Sequence, residues 1–261
     1  MSVNKLHLDQ FLLFGDSITE FAFNTQFQQT QDPKYYKDGK LDPMHQQFSM
    51  GASLMSLYVR RLDIILKGFS GYNSRWALKI LPKLLEIYTN VKLGYIFFGS
   101  NDSCMGERQH VSIEEFEENI LKLIDIYKQN GVDKVILVTP ALFNGELWNV
   151  QKAVEVNQGY TRSNEDFEKY GAVLEKVGTK LNLPVVNLNK AFKEYAAKNL
   201  DGKWQELLCD GLHFSGYGYH AFYDELVETI EKRYPELGPK EVPYNLPNWR
   251  DVEKDASNLD L

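Results

Sequence analysis

The stretch Phe11-Leu12-Leu13-Phe14-Gly15-Asp16-Ser17-Ile18-Thr19-Glu20-Phe21 decides the fold. Its four consecutive apolar side chains, with no polar alternation, describe a strand buried on both faces, the pattern of a parallel sheet covered by helices on both sides. The Gly-Asp-Ser that follows puts Ser17 where the strand ends and the chain turns toward a helix. That edge is where open α/β sheets bind ligands. A serine there also reads as a helix cap, so the stretch alone does not choose between chemistry and structure. Asp16 is expected to hydrogen-bond locally and fix the turn.

Outward from this strand, apolar runs and amphipathic stretches alternate, the signature of a parallel sheet with helices on both faces, and the expected form is a flavodoxin-like α/β/α sandwich with a five-stranded parallel sheet. A polar, glutamine-rich stretch, 26–47, has no clear period and reads as an insertion, either a lid or solvent-exposed filler. The spacing predicts helices over 50–62, 75–88, 164–181, 190–198 and 217–233, and strands over 63–66, 93–98, 134–139 and 184–188. Ser112-Ile113-Glu114-Glu115 has the form of a capping box, opening a helix that Gly131 ends. Gly216-Tyr217-Gly218-Tyr219-His220-Ala221 matches a dinucleotide fingerprint in form only, because it opens the last helix instead of following the first strand.

Three later segments carry chemistry. Lys67-Gly68-Phe69-Ser70-Gly71-Tyr72-Asn73-Ser74-Arg75 follows the second strand, Gly99-Ser100-Asn101-Asp102 the third, and Asp210-Gly211-Leu212-His213 lies near the end of the folded body. In strand order 2-1-3-4-5 the first three strands are neighbours at the switch point, so Ser17, Gly68 and Asn101 converge on one crevice. Gly68, without a Cβ, can offer its backbone N–H to an oxyanion, and Asn101 can offer a side-chain amide. Asp210 can hold the tautomer of His213 while the other ring nitrogen faces Ser17. Asp102 is expected to brace its loop. Each segment alone also reads as a turn, with Ser74 as a helix cap. Their order points to acyl transfer, with Ser17, Asp210 and His213 as catalytic residues and Ser17, Gly68 and Asn101 as the oxyanion hole.

That order resembles the SGNH, or GDSL, hydrolase family, which is named for a Ser in a Gly-Asp-Ser block, a Gly, an Asn in a Gly-x-Asn-Asp block and a His in an Asp-x-x-His block. The blocks here at 11–21, at Gly71-Tyr72-Asn73-Ser74-Arg75-Trp76-Ala77-Leu78 and at Asp210-Gly211-Leu212-His213-Phe214-Ser215-Gly216 look like those of fungal isoamyl acetate-hydrolysing esterases. The second block departs from the usual Asn-Arg-Gly or Gln-Arg-Gly and has Leu66-Lys67-Gly68. The resemblance implies a carboxylic ester hydrolase acting on small acetate esters through an acyl-serine. A thioesterase, a lysophospholipase, an esterase of acetylated sugars or an inactive binding module of the same fold remain open.

A chain of 261 residues with 43% hydrophobic and 25% charged residues has ordinary globular composition. No linker breaks the sequence between the blocks, so 1–234 is expected to be one domain. Net charge of −7 and the lack of a basic stripe argue against nucleic acid. No apolar run reaches the roughly 18 residues of a membrane span, and residues 1–10 lack signal-peptide form. The two cysteines, Cys104 and Cys209, have no metal-ligand spacing and read as reduced thiols, and the proposed chemistry requires neither metal nor organic cofactor. Asn101-Asp102-Ser103 is formally a glycosylation sequon. A glycan there would destroy the expected oxyanion donor, which fits a cytoplasmic protein. Residues 235–261, with Pro235, Pro239, Pro243 and Pro247, are expected to leave the last helix and run extended. Their Tyr244, Leu246 and Trp249 are expected to pack on the body or, as an arm, to reach a second subunit in a homodimer.

Overall fold

β1 (Gln10–Asp16) is buried after its first residue. Phe11 and Leu13 enter the core on one side of the sheet, and Leu12 and Phe14 the core on the other. This two-sided burial is what the unbroken apolar run requires. β1 pairs in parallel with β2 (Asp63–Phe69) and β3 (Val91–Phe97). With β4 (Val135–Val138) and β5 (Val185–Val186) they form a five-stranded parallel sheet of order β2-β1-β3-β4-β5. The computed structural model describes residues 8–25, 36–37, 40–41 and 47–259. Within the 26–47 insertion, Tyr36–Lys37 and Lys40–Leu41 pair as an antiparallel ribbon. Its role as lid or filler otherwise lies outside the described residues.

Helices cover both faces. α2 (Met50–Leu57), α8 (Leu188–Asn199) and α9 (Gly216–Arg233) send Leu54, Phe192 and Phe222 into one core. α3 (Ser74–Ile87), α4 (Ile113–Gln129) and α7 (Asn164–Leu181) send Leu81, Ile120 and Leu174 into the other. In α4, Ser112 accepts from the Glu115 N–H at 3.3 Å, but the Glu115 carboxylate pairs with Arg75 at 2.5 Å, so only half of the capping box closes. α3 is capped by Asn73, which accepts from the Trp76 N–H, and Ser74 is the first helical residue.

Three differences from the sequence reading have physical causes. α2 ends at Leu57, short of 62, and the chain leaves it through Arg60 at φ 61°. β2 runs on to Phe69, so Gly68 lies inside a strand opposite Gly15 and not in a loop. Two short helices, α5 (Gly145–Gln151) and α6 (Ala153–Asn157), went unread because Trp148 is their only buried residue, and one buried position makes no period.

The C-terminal segment does not follow one extended path. Pro235–Leu237 makes a 3-10 turn, and bends and turns follow. The Tyr58 hydroxyl donates to the Leu237 carbonyl at 2.9 Å, Val242 is buried, and Arg60 and Arg61 lie over the Tyr244 ring. The Arg60 guanidinium donates to the carbonyls of Leu246 and Pro247. This part of the tail therefore packs on its own body.

Among the described glycines, Gly68 permits the closest approach. α1 (Ser17–Glu20) lies directly on β2, and a Cβ at Gly68 would sit 1.9 Å from the Glu20 nitrogen and 2.4 Å from its Cα. The obstacle is backbone, which cannot swing aside. Gly68→Ala is therefore expected to destabilise the protein by about 1–3 kcal/mol or more, through overpacking, seen as a lower midpoint in urea unfolding. An unchanged midpoint would contradict this packing.

Candidate active site

The turn at the end of β1 is set by Asp16. As N-cap of α1 its Oδ1 accepts from the Ile18 N–H at 2.9 Å, so Ser17 becomes the first residue of a short helix at the carboxyl edge of the sheet. From the other end of the chain, Asp210 folds a tight turn around its own carboxylate. Its Oδ1 accepts from the N–H groups of Leu212 and His213 at 2.9 and 2.7 Å. Its Oδ2 lies 2.6 Å from His213 Nδ1, and His213 Nε2 lies 2.9 Å from Ser17 Oγ. An ionised carboxylate only accepts, so Nδ1 carries a proton and, in the neutral ring, Nε2 is free to accept from the serine. Phe21 and Trp148 flank the imidazole, with ring centroids at 5.2 and 6.1 Å.

Ser17 and His213 open into a cavity of about 270 Å³, bounded also by Phe21, Ser70, Gly71, Asn101, Gln109, Trp148, Lys152, Glu155, Tyr160, Arg162 and Leu212. This is at or below the small end of ligand pockets. Asn101 is there, as the sequence leads one to expect. Gly68 is not: it is locked in β2 under α1, and the glycine bordering the cavity is Gly71, at φ 78° in the turn after β2. Among the described residues the Gly71 N–H meets no acceptor, while its carbonyl accepts from Gln109 Nε2 at 2.8 Å. The Glu20 carboxylate grips the neighbouring Ser70 through its N–H and hydroxyl at 2.6 and 2.7 Å. Lys67, the departure from the usual block, lies over the Tyr88 ring, and Arg75 pairs with Glu115.

Asn101 is held on both sides. Its Oδ1 accepts from Arg162 at 3.0 Å and from Gln109 at 3.3 Å. Its Nδ2 donates to the Tyr72 carbonyl at 2.9 Å and stands 3.5 Å from Asp16 Oδ2. Asp102 braces the loop, accepting from the N–H groups of Ser74 and Gly99. Gln109, Trp148, Lys152, Glu155, Tyr160 and Arg162 were not singled out in the sequence. They arrive on loops and short helices with no motif of their own. The one local signal is Asn144, which caps α5 by accepting from the Leu147 N–H.

The carboxyls differ in electrostatic state. Burial works to raise the Asp210 pKa, but the hydrogen bond and charge of His213, with two backbone N–H groups, hold it below the usual value. Burial pushes Asp16 up to about 7, opposed only in part by the Ile18 N–H and the charges of His213 and Arg162. Asp102 is raised by burial to about 6, against bonds from Ser74 and Gly99. Burial lowers the Arg162 pKa, opposed by the nearby Asp16 and Asp210 carboxylates. Cys104 and Cys209 are free thiols, and burial raises the Cys209 thiol, next in sequence to Asp210, beyond ready ionisation.

A hydroxyl at a strand-to-helix turn, an imidazole oriented by a buried carboxylate and an amide facing the same cavity define the serine-hydrolase class. The family model of GDSL-like lipase/acylhydrolases matches residues 11–226. The isoamyl acetate-hydrolyzing esterase of Saccharomyces cerevisiae is 43% identical over 251 residues, covering 96% of this chain and 98% of that one. The isoamyl acetate-hydrolyzing esterase 1 homolog of Homo sapiens is 31% identical, covering 96% and 90%. The solved lipase/acylhydrolase of Enterococcus faecalis superimposes with a TM-score of 0.59 at 26% identity, over 87% of this chain and 97% of that one. The chain belongs to the GDSL-like lipase/acylhydrolase family, and it is a serine esterase. Among the described residues no helix is long and apolar enough to cross a membrane.

The raised Asp16 pKa has a consequence for stability. Between about pH 4 and 7 the folded protein holds a proton on this carboxyl that the unfolded chain has released, so stability falls as pH rises through that window. Asp16→Asn removes the titration. The unfolding free energy of the variant minus that of wild type is expected to rise by about 1–4 kcal/mol from pH 4 to 8, since each pKa unit is worth ~1.4 kcal/mol. Urea unfolding across that range measures it, and a pH-independent difference would place the Asp16 pKa near its ordinary value.

Proposed function

We propose that this esterase cleaves small acetate esters, of the isoamyl acetate kind, through an acyl-serine intermediate. The observation that carries the reading is the unbroken chain Asp210–His213–Ser17, with bonds of 2.6 and 2.9 Å, at the mouth of a cavity of about 270 Å³. The names of the Saccharomyces cerevisiae and Homo sapiens relatives, aligned along nearly the whole chain, supply the substrate class. The small cavity, walled by Phe21, Trp148 and Leu212, suits a short acyl group and a branched aliphatic alcohol.

Ser17 Oγ attacks the ester carbonyl as His213 Nε2 takes its proton, and Asp210 supports the resulting imidazolium. The carbonyl oxygen becomes an oxyanion facing the Asn101 amide, the Gly71 N–H and the Ser17 N–H, with Gly71 in the place first expected for Gly68. Collapse breaks the bond to the alcohol, which leaves with the proton from His213. Water then gives a proton to His213 and attacks the acetyl-serine; the bond to Ser17 Oγ breaks as His213 returns that proton to it, and acetic acid departs to ionise in solution.

Ser17→Ala and His213→Ala are each expected to lower kcat on isoamyl acetate by about 10⁴–10⁶-fold, with the double variant hardly worse, because residues sharing one step are not additive. Multiplying losses would refute a shared step, and activity of Ser17→Ala equal to wild type would remove the mechanism. Asn101→Ala is expected to lower kcat by about 10²–10³-fold with little change in KM. A change confined to KM would place Asn101 in ground-state binding.

Two further proposals concern location and assembly. A cytoplasmic location suits the buried Asn101, whose glycosylation at Asn101-Asp102-Ser103 would remove a cavity amide. Pairing of two copies is proposed through the segment after Pro247, where Trp249 is 72% exposed. Deleting residues 248–261 is expected to halve the mass measured by light scattering. An unchanged mass would leave this segment no part in assembly.

A further inference from the structure

Amide side chains face a symmetry problem. Asn and Gln present an oxygen and an NH₂ of nearly equal size, and a half-turn exchanges an acceptor for a donor. An oxyanion hole that uses an asparagine amide works in one of these orientations, since the reversed one points a carbonyl oxygen at the developing negative charge. Something next to Asn101 has to make the reversed orientation costly.

The cavity wall contains such a device. Arginine is donor-only, with a planar fork of N–H groups. Arg162 spends this fork on three neutral acceptors: Nε donates to the Ser100 carbonyl at 3.0 Å, and one terminal nitrogen donates to Asn101 Oδ1 at 3.0 Å and to Gln109 Oε1 at 3.1 Å. Turning over either amide would set NH₂ against guanidinium, donor against donor. With Gln109 Oε1 fixed on Arg162, its Nε2 faces the Gly71 carbonyl at 2.8 Å and Asn101 Oδ1 at 3.3 Å. The Gln109 carbonyl also accepts from Asn73 Nδ2 at 2.9 Å, joining the turn that carries Gly71 to this loop. Trp148 backs the guanidinium, 5.4 Å from its ring centroid. Among the described residues Arg162 makes no carboxylate ion pair, so its charge is not cancelled by a direct partner.

We propose that Arg162 and Gln109 are positioning residues that lock both oxyanion donors, Arg162 holding the oxygen end of the Asn101 amide opposite the Tyr72 carbonyl that accepts from its NH₂, and Gln109 tying that amide to the Gly71 turn. The proposal rests on the oxyanion role given above to Asn101 and Gly71. Neither residue touches the reacting atoms. Both act on transition-state charge, so their loss falls on kcat and leaves KM nearly unchanged.

The test measures steady-state hydrolysis of isoamyl acetate by the full-length chain carrying Arg162→Ala, Arg162→Lys and Gln109→Glu, each also combined with Asn101→Ala. Circular dichroism and affinity for an alkylboronic acid, which forms a tetrahedral anionic adduct on serine, accompany the kinetics. Arg162→Ala is expected to lower kcat by about 10–100-fold, bounded by the cost of losing the Asn101 donor itself, and to weaken the boronate by a similar factor. Lysine, a point donor without the fork, should recover only part of the loss. Gln109→Glu keeps an acceptor for Arg162 but turns oxygen toward the Gly71 carbonyl and Asn101 Oδ1. It is expected to slow turnover as Arg162→Ala does in a protein that remains folded. In the Asn101→Ala background, Arg162→Ala should cost less than about threefold, since coupled residues do not add.

Equal losses from Arg162→Ala with and without Asn101, a change in KM alone, or full kcat in Gln109→Glu would overturn the lock. If Ser17→Ala is inactive and Asn101→Ala is slow while those results hold, only the lock falls. If Ser17→Ala retains activity, the esterase mechanism beneath it falls as well.

Discussion

The contact between the backbone of α1 and the strand beneath it constrains everything at the reactive edge of the sheet. Gly15 and Gly68 face each other across β1 and β2, and a side chain on either would collide. A Cβ on Gly15 would sit 2.2 Å from Thr19 Oγ1, and one on Gly68 would meet the backbone of Thr19 and Glu20. With both absent, the first helical turn settles onto the strand ends and Thr19 reaches the Tyr95 hydroxyl at 2.9 Å. The Glu20 carboxylate, carried by the same turn, then lies where it grips Ser70. One close approach therefore sets Ser17 and the turn bearing Gly71 together. Gly68 acts on the site through packing, one layer below the glycine that borders the cavity.

The opposite end of the chain is fitted to this platform by the last helix. Ser215 caps α9 by accepting from the Gly218 N–H, and the Tyr219 hydroxyl donates to the Ile18 carbonyl at 2.7 Å. His213 sits two residues before that cap, in a turn organised by Asp210. The helix that docks on the core, packed through Tyr219, Phe222 and Leu226, thus brings the imidazole to the serine. Residues 196 positions apart meet at hydrogen-bond distance because each is anchored to a neighbouring element of one core.

Much of this was legible in the sequence because the signals were local. The apolar run at 11–14, the strand-end blocks and the Asp-x-x-His turn each encode their own geometry, and the observed order β2-β1-β3-β4-β5 is the flavodoxin-like order expected of the alternating strands and helices. α7 could be read to its ends, since Ser163 caps it and seven buried positions keep the helical period. Gly68 was misplaced because a glycine that admits a neighbouring backbone and one that turns the chain at positive φ look alike in sequence; β2 continued to Phe69, which moved the turn to Gly71. α5 and α6 gave no period to read. Gln109 and Arg162 were invisible for a deeper reason. Their meaning lies in what they touch, and those contacts span 38 and 61 residues to Gly71 and Asn101.

The distribution of charge around the cavity matches the charges the proposed reaction develops. Attack on the carbonyl makes an imidazolium at His213 and an oxyanion near Asn101 and Gly71. Behind the imidazole stands Asp210, held ionised by the bonds it accepts from His213 and the backbone. Behind the amide stands Arg162, without a carboxylate ion pair among the described residues. The field between them thus favours negative charge on the Asn101 side and positive charge on the His213 side, and it acts in a partly enclosed space where water screens it less than in bulk. Asp16 is the exception that fits. It stands 3.5 Å from Asn101 Nδ2, where a full negative charge would oppose the oxyanion, and burial raises its pKa to about 7, so that near neutrality a large share of it is uncharged. Desolvation thus weakens an acid whose charge would work against the proposed reaction, while hydrogen bonds keep Asp210, whose charge would work for it, ionised.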